Sequence, residues 1–235
     1  MNIDTKVYRK HESPNFGNTL LGAVPLVSEV YLMDNIELMK HYPDKYFDLA
    51  VVDPPYGIGA NKMTLGNGKE KVYRGENDWD NQPPPLEYFY ELFRVSKNQI
   101  IWGANHFISR MPYDSSCWIF WDKGTGSNDF ADGELAWTSF DKTVRKYFKS
   151  WVGANAKDGL KRIHPTQKPI SLYDWIYSNY ATEGMRILDT HLGSGGSRIS
   201  ANKMKMNFTG CEIDTRFFNE QNKRYEEFVS QARLW

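Results

Sequence analysis

The chain has 235 residues, of which 40% are hydrophobic and 25% are charged, with 29 basic and 29 acidic side chains. These values are ordinary for a globular protein, and no apolar run approaches the ~20 residues that span a bilayer. Without a secretion signal or a membrane segment, we expect one cytoplasmic domain over residues 1–235. The two cysteines and five histidines lack metal-ligand spacing, so we expect no metal site.

Seven apolar, strand-like runs recur along the chain, separated by loops and helical patterns. They cover residues 29–34, 47–53, 99–103, 117–121, 134–140, 185–189 and 207–213. The early and late runs are almost continuously apolar, as in strands that are covered on both faces. Proline-led helical patterns begin near Pro84 and Pro169, and another follows Asp214. This alternation predicts an α/β fold with right-handed crossovers.

The run that ends at Asp53 continues as Asp-Pro-Pro-Tyr. In an open α/β sheet, ligands bind beyond the carboxyl ends of the strands. Pro54 and Pro55 fix the backbone and remove two N–H donors, which leaves the Asp53 carboxylate and the Pro54 carbonyl as acceptors beside the flat ring of Tyr56. This set suits a planar heterocycle with an exocyclic amine. A proline turn that leaves a strand, with Tyr56 as packing, is the alternative.

A glycine-rich turn follows the strand that ends at Asp189. Gly193, Ser194 and Gly195 lead into a helical pattern, and the next strand ends in Glu212, about twenty residues later. Glycines let a backbone approach a ligand, and a later carboxylate can accept hydrogen bonds from ribose hydroxyls. The pattern predicts an adenosine-cofactor site, although a tight turn without a ligand would give the same letters. No Gly-Lys-Ser/Thr follows, and the spacing departs from a dinucleotide fingerprint.

Two segments depart from this core pattern. Residues 57–85 are rich in glycine, proline and polar residues, and we expect a mobile loop near the active site. Residues 141–168 carry eight basic side chains against two acidic ones, with aromatic residues between them. This charge predicts contact with a polyanion, and a solvated surface loop is the alternative.

The order of these motifs resembles that of a known family. Asp-Pro-Pro-Tyr comes first, then the basic stretch, then His-Pro-Thr-Gln-Lys-Pro at 164–169, and then the glycine turn. The chain resembles the β class of S-adenosylmethionine-dependent amino-methyltransferases of DNA, which modify N6 of adenine or N4 of cytosine. The resemblance implies a circularly permuted class I (Rossmann-like) methyltransferase fold. Its seven-stranded, mostly parallel sheet would have helices on both faces and the last two strands beside the first.

The resemblance also assigns site residues. Catalytic residues would be Asp53, Pro54, Pro55 and Tyr56. S-adenosyl-L-methionine would be held by Asp34, Asp53, Thr166, Lys168, Asp189, Gly193, Ser194, Gly195 and Glu212. A short insert at 141–163 would contact double-stranded DNA through Lys142, Arg145, Lys146, Lys149, Lys161 and Arg162. Two departures from the family pattern stand in the turn region, where His191 replaces a common Phe and Gly196-Ser197 replace common Thr residues.

The implied activity is methylation of a flipped-out base, with adenine N6 favoured because cytosine-N4 members more often carry Ser in place of Asp53. Cytosine-N4 methylation, methylation of RNA or of a protein glutamine, and a catalytically silent nucleic-acid-binding subunit are the alternatives. A homodimer and a cognate restriction endonuclease are partners that the family allows.

Overall fold

A computed structural model describes residues 8–13, 26–60, 80–125, 131–151 and 162–232, and within these ranges nine strands form one sheet. The strands are β1 (Tyr8–Ser13), β2 (Leu26–Leu32), β3 (Phe47–Val52), β4 (Ser96–Trp102), β5 (Trp118–Asp122), β6 (Gly133–Thr138), β7 (Arg145–Phe148), β8 (Arg186–Asp189) and β9 (Asn207–Glu212). Their order across the sheet is β1-β2-β9-β8-β3-β4-β6-β5-β7. The last two strands in sequence therefore lie beside β2, as the resemblance implies.

Five helices cover the sheet in the described part of the chain. They are α1 (Asn35–Lys40), α2 (Leu86–Val95), α3 (Ile170–Tyr180), α4 (Gly196–Lys203) and α5 (Thr215–Ala232). Successive side chains of a strand point to opposite faces, and β3 shows the consequence. Leu49 and Val51 pack into a core with residues of α3 and α4, whereas Ala50 and Val52 pack with α1 and α2. The predicted helices on both faces are confirmed.

The sheet has two strands more than the seven that the sequence predicted. All seven predicted runs form strands, and β1 and β7 extend the sheet at its two ends. β7 has only four residues, of which three are exposed and two are basic, so no apolar run indicated it. β7 forms backbone hydrogen bonds with β5, and the exposed residues of such an edge strand need no apolar residues packed against them.

Most neighbouring strands in this sheet are parallel, which brings their carboxyl ends to one edge. The parallel pairs are β2–β9, β8–β9, β3–β8, β3–β4 and β5–β7. β6 runs antiparallel to β4, with Trp102 opposite Ala136. Because of this reversal, the first residues of β6 lie at the same edge as the last residues of β3 and β4.

The α-helices of the described ranges pack against the two faces of the sheet. None of them combines the length and the hydropathy of a bilayer-spanning segment. No cluster of three or more His, Cys, Asp or Glu side chains in these same ranges is arranged to hold a metal ion.

Candidate active site

A cavity of about 1110 Å³ lies at the carboxyl edge of the sheet. Its walls include Asp34, Asp53, Pro54, Pro55, Tyr56, Thr166, Lys168, Gly193, Ser194 and Glu212, all of which the sequence predicted as site residues. The structure therefore brings the Asp-Pro-Pro-Tyr segment, the His-Pro-Thr-Gln-Lys-Pro segment and the glycine turn to one place. β3 and β8 are adjacent and parallel, so the segments that follow them emerge side by side.

Asp53 stands directly after β3, and both of its carboxylate oxygens accept hydrogen bonds. The Tyr56 hydroxyl donates to Oδ1 at 2.7 Å, and the Lys168 ammonium donates to Oδ2 at 2.6 Å. A carboxylate oxygen can accept more than one hydrogen bond, so Asp53 retains acceptor capacity on the cavity side. These two donors fix the direction of the carboxylate without using all of that capacity.

Lys168 is the centre of this network. Its ammonium also lies 2.8 Å from Glu134 Oε2 and 3.2 Å from the Tyr56 hydroxyl, and its side chain is only 2% exposed. Glu134 in turn contacts Lys123 Nζ at 2.5 Å through its other oxygen. The sequence assigned Lys168 to the cofactor, whereas the structure places its charge against Asp53.

Burial and pairing set the protonation of this cluster. Burial raises the pKa of Asp53, and Lys168 opposes that rise. Burial alone would also raise the pKa of Glu134, but the charges of Lys168 and Lys123 lower it to about 2. The pKa of Lys168 is raised by its two carboxylate partners, which outweigh its desolvation. The negative charges of Asp53 and Glu134 are thus matched by the positive charges of Lys168 and Lys123 in one cluster.

The ring of Tyr56 is held by two neighbours that follow β4. The backbone of Gly103 presses against it, because a Cβ atom at that position would lie 2.0 Å from Cε1 of the ring. The imidazole of His106 stacks on it with ring centroids 5.1 Å apart and an angle of 14° between the planes. His106 itself is exposed and lines the cavity. A planar, solvent-accessible aromatic surface thus lies beside the Asp53 carboxylate.

Two residues that the sequence assigned to the cofactor lie behind the cavity wall. Asp189 accepts the His191 N–H at 3.0 Å through Oδ1 and the Ser197 hydroxyl through Oδ2, and it is 3% exposed. Burial raises the pKa of Asp189 to about 7. Gly195 is the left-handed N-cap of α4, with φ of +69°. Both residues shape the glycine turn, and a direct cofactor contact for them stays a prediction.

Glu212 ties the end of β9 to the glycine turn. Its Oε2 accepts the Gly193 N–H at 2.9 Å, while Oε1 accepts the N–H groups of Ile213 and Asp214 at 3.0 Å each. Burial raises the pKa of this carboxyl despite these bonds. The side chain also lines the cavity, so its remaining lone pairs face the space that a ligand would fill.

The histidine that departs from the family pattern has a structural role. His191 Nε2 lies 3.0 Å from Asn35 Nδ2, and its Nδ1 lies 3.0 Å from the Thr190 hydroxyl. That hydroxyl is 2.7 Å from the hydroxyl of Tyr88 on α2. Burial lowers the pKa of His191 to about 3, so the imidazole is neutral. A phenylalanine here could pack but could not join α1, the glycine turn and α2 by hydrogen bonds.

Asp80 anchors the residues that follow Tyr56. Its carboxylate accepts the Gly57 N–H at 2.9 Å and the Ala60 N–H at 2.6 Å, and the residue is 1% exposed. The predicted loop at 57–85 therefore has a fixed base at the described residues 57–60 and 80–85. Residues 61–79 of the predicted mobile loop at 57–85 lie outside the described part of the chain, and the mobility of the loop stays a prediction.

Two of the six predicted DNA-contacting residues lie in β7, on opposite faces of the strand. In this strand Arg145 shares a face with Tyr147, whose hydroxyl bonds Ser171 on α3. Lys146 faces the opposite side and pairs with Asp122 at 2.7 Å. The other four residues have different settings: Lys142 donates to the Asn179 carbonyl, Lys149 follows β7, Arg162 lines the cavity, and Lys161 lies outside the described residues.

Sequence reasoning missed four residues that shape the site: Glu134, Lys123, Asp80 and His106. Glu134 is the first charged residue of a predicted strand, where a solvated side chain is the usual case. Asp80 lies in a polar loop, and Lys123 and His106 lie just after strands. The position of each at a strand end or in the long loop was the available signal, but it does not distinguish these residues from other polar residues of the surface.

The cavity fits an adenosine-type cofactor by its chemistry. Ile213 is 57% exposed although it is apolar, and it lines the cavity next to Glu212. Leu192 and Phe217 add apolar surface, and the Asp34 and Glu212 carboxylates supply acceptors. Apolar walls with a few directed polar groups are typical of sites for nucleoside-like ligands.

Comparison with known proteins supports the sequence resemblance. Residues 123–223 match a family model described as DNA methylase. The type II methyltransferase M2.MboI of Moraxella bovis is 24% identical over 240 residues, which cover 85% of this chain and 88% of that protein.

Solved structures share the fold. M1.HpyAVI, crystallised with SAM, superposes with a TM-score of 0.54 and 20% identity over 83% of this chain and 97% of its own. PvuII DNA methyltransferase, which is cytosine-N4-specific, superposes with a TM-score of 0.53 and 12% identity over 86% of this chain and 93% of its own. The predicted methyltransferase fold and the resemblance to the amino-methyltransferase family are confirmed.

Proposed function

We propose that this protein transfers a methyl group from S-adenosyl-L-methionine to the exocyclic amine of a flipped-out base in double-stranded DNA, with adenine N6 as the acceptor. The observation that carries the proposal is the half-buried, oriented Asp53 carboxylate, which lies in one cavity with Pro54 and the glycine turn. The family match and the similar type II methyltransferases support the same reaction class.

The chemical problem is the weak nucleophilicity of an exocyclic amine, whose lone pair is delocalised into the ring. Asp53 and the Pro54 carbonyl would accept one hydrogen bond each from the two amine protons. That arrangement favours a tetrahedral nitrogen and localises the lone pair. Bond formation between the nitrogen and the methyl carbon would break the S–CH3 bond and release the cofactor's sulfur as a neutral thioether. As positive charge develops on the nitrogen, the preorganised Asp53 carboxylate would stabilise it without reorganisation, and the proton that the nitrogen must lose would leave through its hydrogen bond to Asp53.

Stacking on Tyr56 would orient the flipped-out base in the cavity. Extrusion of a base from the duplex requires a few kcal/mol, and stacking on an aromatic ring returns roughly 1–3 kcal/mol. The Tyr56 ring is fixed by Gly103 and by its bond to Asp53, and His106 stacks on one of its faces. A base would stack on the other face or take the place of the exposed imidazole, with its amine near the carboxylate. Positioning of this kind accounts for much of the rate of a two-substrate transfer.

When bound, S-adenosylmethionine supplies an electrophilic methyl group. Glu212 would accept from its ribose hydroxyls and Asp34 from its adenine amine. The backbone at Gly193 and Ser194 would approach its methionine portion, with Thr166 on the facing segment. These residues line one cavity that is continuous with Asp53, so the two substrates can meet.

The choice of adenine rests on Asp53. The family resemblance associates Asp at this position with adenine and Ser with cytosine, while the shared fold of the cytosine-N4-specific PvuII enzyme shows that fold alone does not discriminate. Cytosine N4 is therefore the second candidate acceptor. The predicted homodimer and restriction endonuclease partner stay predictions.

The test supplies the purified protein and methyl-labelled cofactor with duplex DNA, RNA and protein in parallel, followed by digestion and mass analysis of nucleosides. We expect label in DNA only, as N6-methyladenine. N4-methylcytosine alone would overturn the acceptor choice, and label only in RNA or protein would overturn the substrate class. Asp53→Ala should abolish transfer while DNA binding persists, and unchanged transfer by this variant would exclude the assigned catalytic role.

A further inference from the structure

Glu134 is a second carboxylate in the site, and the mechanism above gives it no role. It stands at the start of β6, with Oε2 2.8 Å from Lys168 Nζ and 3.2 Å from the Tyr56 hydroxyl. The residue reaches the end of β3 only because β6 runs antiparallel to β4. Its side chain is 19% exposed, so it lies in the network rather than in solvent.

A count of donors shows what Glu134 contributes. An ammonium group has three N–H donors and no acceptor. The Lys168 ammonium has three acceptors within reach: Asp53 Oδ2 at 2.6 Å, Glu134 Oε2 at 2.8 Å and the Tyr56 hydroxyl oxygen at 3.2 Å. Because Lys168 is 2% exposed, protein groups rather than solvent decide where the ammonium lies.

We propose that Glu134 is a positioning residue which acts through Lys168 to hold the Asp53 carboxylate aimed at the amine of the target base. This inference rests on the proposed function and deepens it. With Glu134 present, the ammonium is anchored on two sides and offers Asp53 one hydrogen bond of fixed direction. Without it, the ammonium can move toward Asp53 and occupy the acceptor capacity that the amine needs.

Lys168 and Glu134 shift the pKa of Asp53 in opposite directions. Lys168 lowers the pKa of Asp53 and Glu134 raises it, while burial raises it most. The other titratable groups that interact electrostatically with Asp53 or Lys168 are Tyr56, Tyr88, His164, Tyr173 and Asp189. The tyrosines have raised pKa values and His164 has a lowered one, so these four remain neutral near pH 7.

The experiment measures kcat against pH at saturating cofactor and DNA for the wild type, Glu134→Gln, Lys168→Met and the double variant. Asp53 works as a carboxylate, so activity falls as the pH drops through its pKa. We expect Lys168→Met to move that acid limb upward by about 1 pH unit or more and Glu134→Gln to move it downward. Glu134→Gln should lower kcat at least tenfold, while the Kd for S-adenosylmethionine stays within twofold.

The double variant separates action through Lys168 from an independent effect. If Glu134 acts through Lys168, its loss lowers kcat no further in the Lys168→Met background, where Glu134 still pairs with Lys123. Losses that multiply would overturn the inference, as would a Glu134→Gln variant with wild-type kcat and an unmoved acid limb.

Controls keep the result interpretable. Glu220→Gln removes a glutamate that pairs with Arg216 on α5, and it should leave kcat and the acid limb unchanged. Should Glu134→Gln not fold, Glu134→Asp retains the charge with a shorter reach and should lower kcat without moving the acid limb downward. A wild-type protein without methyl transfer would defeat the proposed function. An active wild type with unaffected variants at position 134 would defeat only the inference about Glu134.

Discussion

A Cβ atom at Gly103 would lie 2.0 Å from Cε1 of the Tyr56 ring, and Gly103 adopts the left-handed conformation with φ of +68°. Only glycine allows the chain after β4 to approach the ring so closely. Gly103 follows β4, whereas the Asp-Pro-Pro-Tyr segment follows β3. The contact therefore shows how the end of one strand fixes the aromatic side chain that follows its neighbour.

Gly103→Ala should therefore displace Tyr56. Backbone strain at positive φ alone costs about 1–2 kcal/mol of stability, and displacement of a positioned group by about 1 Å can lower activity about 100-fold. Gly184→Ala is the matched control, because Gly184 has φ of +84° and no atom within 4 Å of the place that an added methyl group would take. In urea unfolding we expect Gly103→Ala to be destabilised at least as much as Gly184→Ala, because only the former adds a clash to the strain, and we expect loss of methyl transfer only in Gly103→Ala. Equal activities would exclude this role for Gly103.

Asp80→Ala should weaken the fixed base of the loop after Tyr56. It leaves the N–H groups of Gly57 and Ala60 without their acceptor. Gly57 is exposed but Ala60 is buried, and an unsatisfied buried donor costs about 1–3 kcal/mol. Asp80→Asn keeps one acceptor oxygen, so its loss of stability and of kcat should be intermediate. Chemical unfolding and steady-state kinetics test this order, with the exposed Asp114→Ala as the control. An Asn variant as impaired as the Ala variant would contradict the two-bond account.

Asp189→Asn should change the pH dependence of stability. The pKa of Asp189 is raised to about 7 in the folded protein, whereas an unfolded aspartate titrates near pH ~4. Between these values the folded state holds a proton that the unfolded state has lost. The contribution of this group to the free energy of unfolding therefore falls as the pH rises, by up to about 1.4 kcal/mol per pH unit.

Because asparagine does not titrate, the stability of Asp189→Asn relative to the wild type should increase between pH 5 and pH 7. Urea unfolding at these two pH values measures the change. Asp48→Asn is the control, because the pKa of Asp48 is lowered by bonds to Arg186 and Lys97 that outweigh burial, and its effect should not vary across this window. A relative stability of Asp189→Asn that stays constant would contradict the raised pKa.

Arg145→Ala combined with Lys149→Ala should weaken DNA binding and flatten its salt dependence. Each lost phosphate contact reduces the slope of log K against log salt by about 0.9. The control removes two lysines outside the basic segment, Lys203 and Lys205, which pair with Asp174 and Glu183. Binding measured over a salt series should separate the pairs. If the slope of the Arg145/Lys149 variant equals that of the wild type, the basic segment is only solvated surface.

The sequence alone determined the features of this protein that depend on residues close together in the chain. Apolar runs predicted seven strands correctly, and the two motifs after β3 and β8 predicted the contents of one cavity, because adjacent parallel strands deliver their following residues to the same edge. The short strand β7 escaped prediction, since an exposed, basic edge strand has no apolar pattern.

Tertiary structure alone decided how the polar residues pair. Lys168 lies against Asp53 across 115 positions, and Glu134 joins them from a strand whose antiparallel direction no local pattern encodes. Asp189 and Gly195 carry the expected motif, yet the turn places them behind the cavity wall. Motif spacing specifies which backbone turns form, whereas the direction of a buried charge depends on every partner that the assembled sheet brings within hydrogen-bond distance.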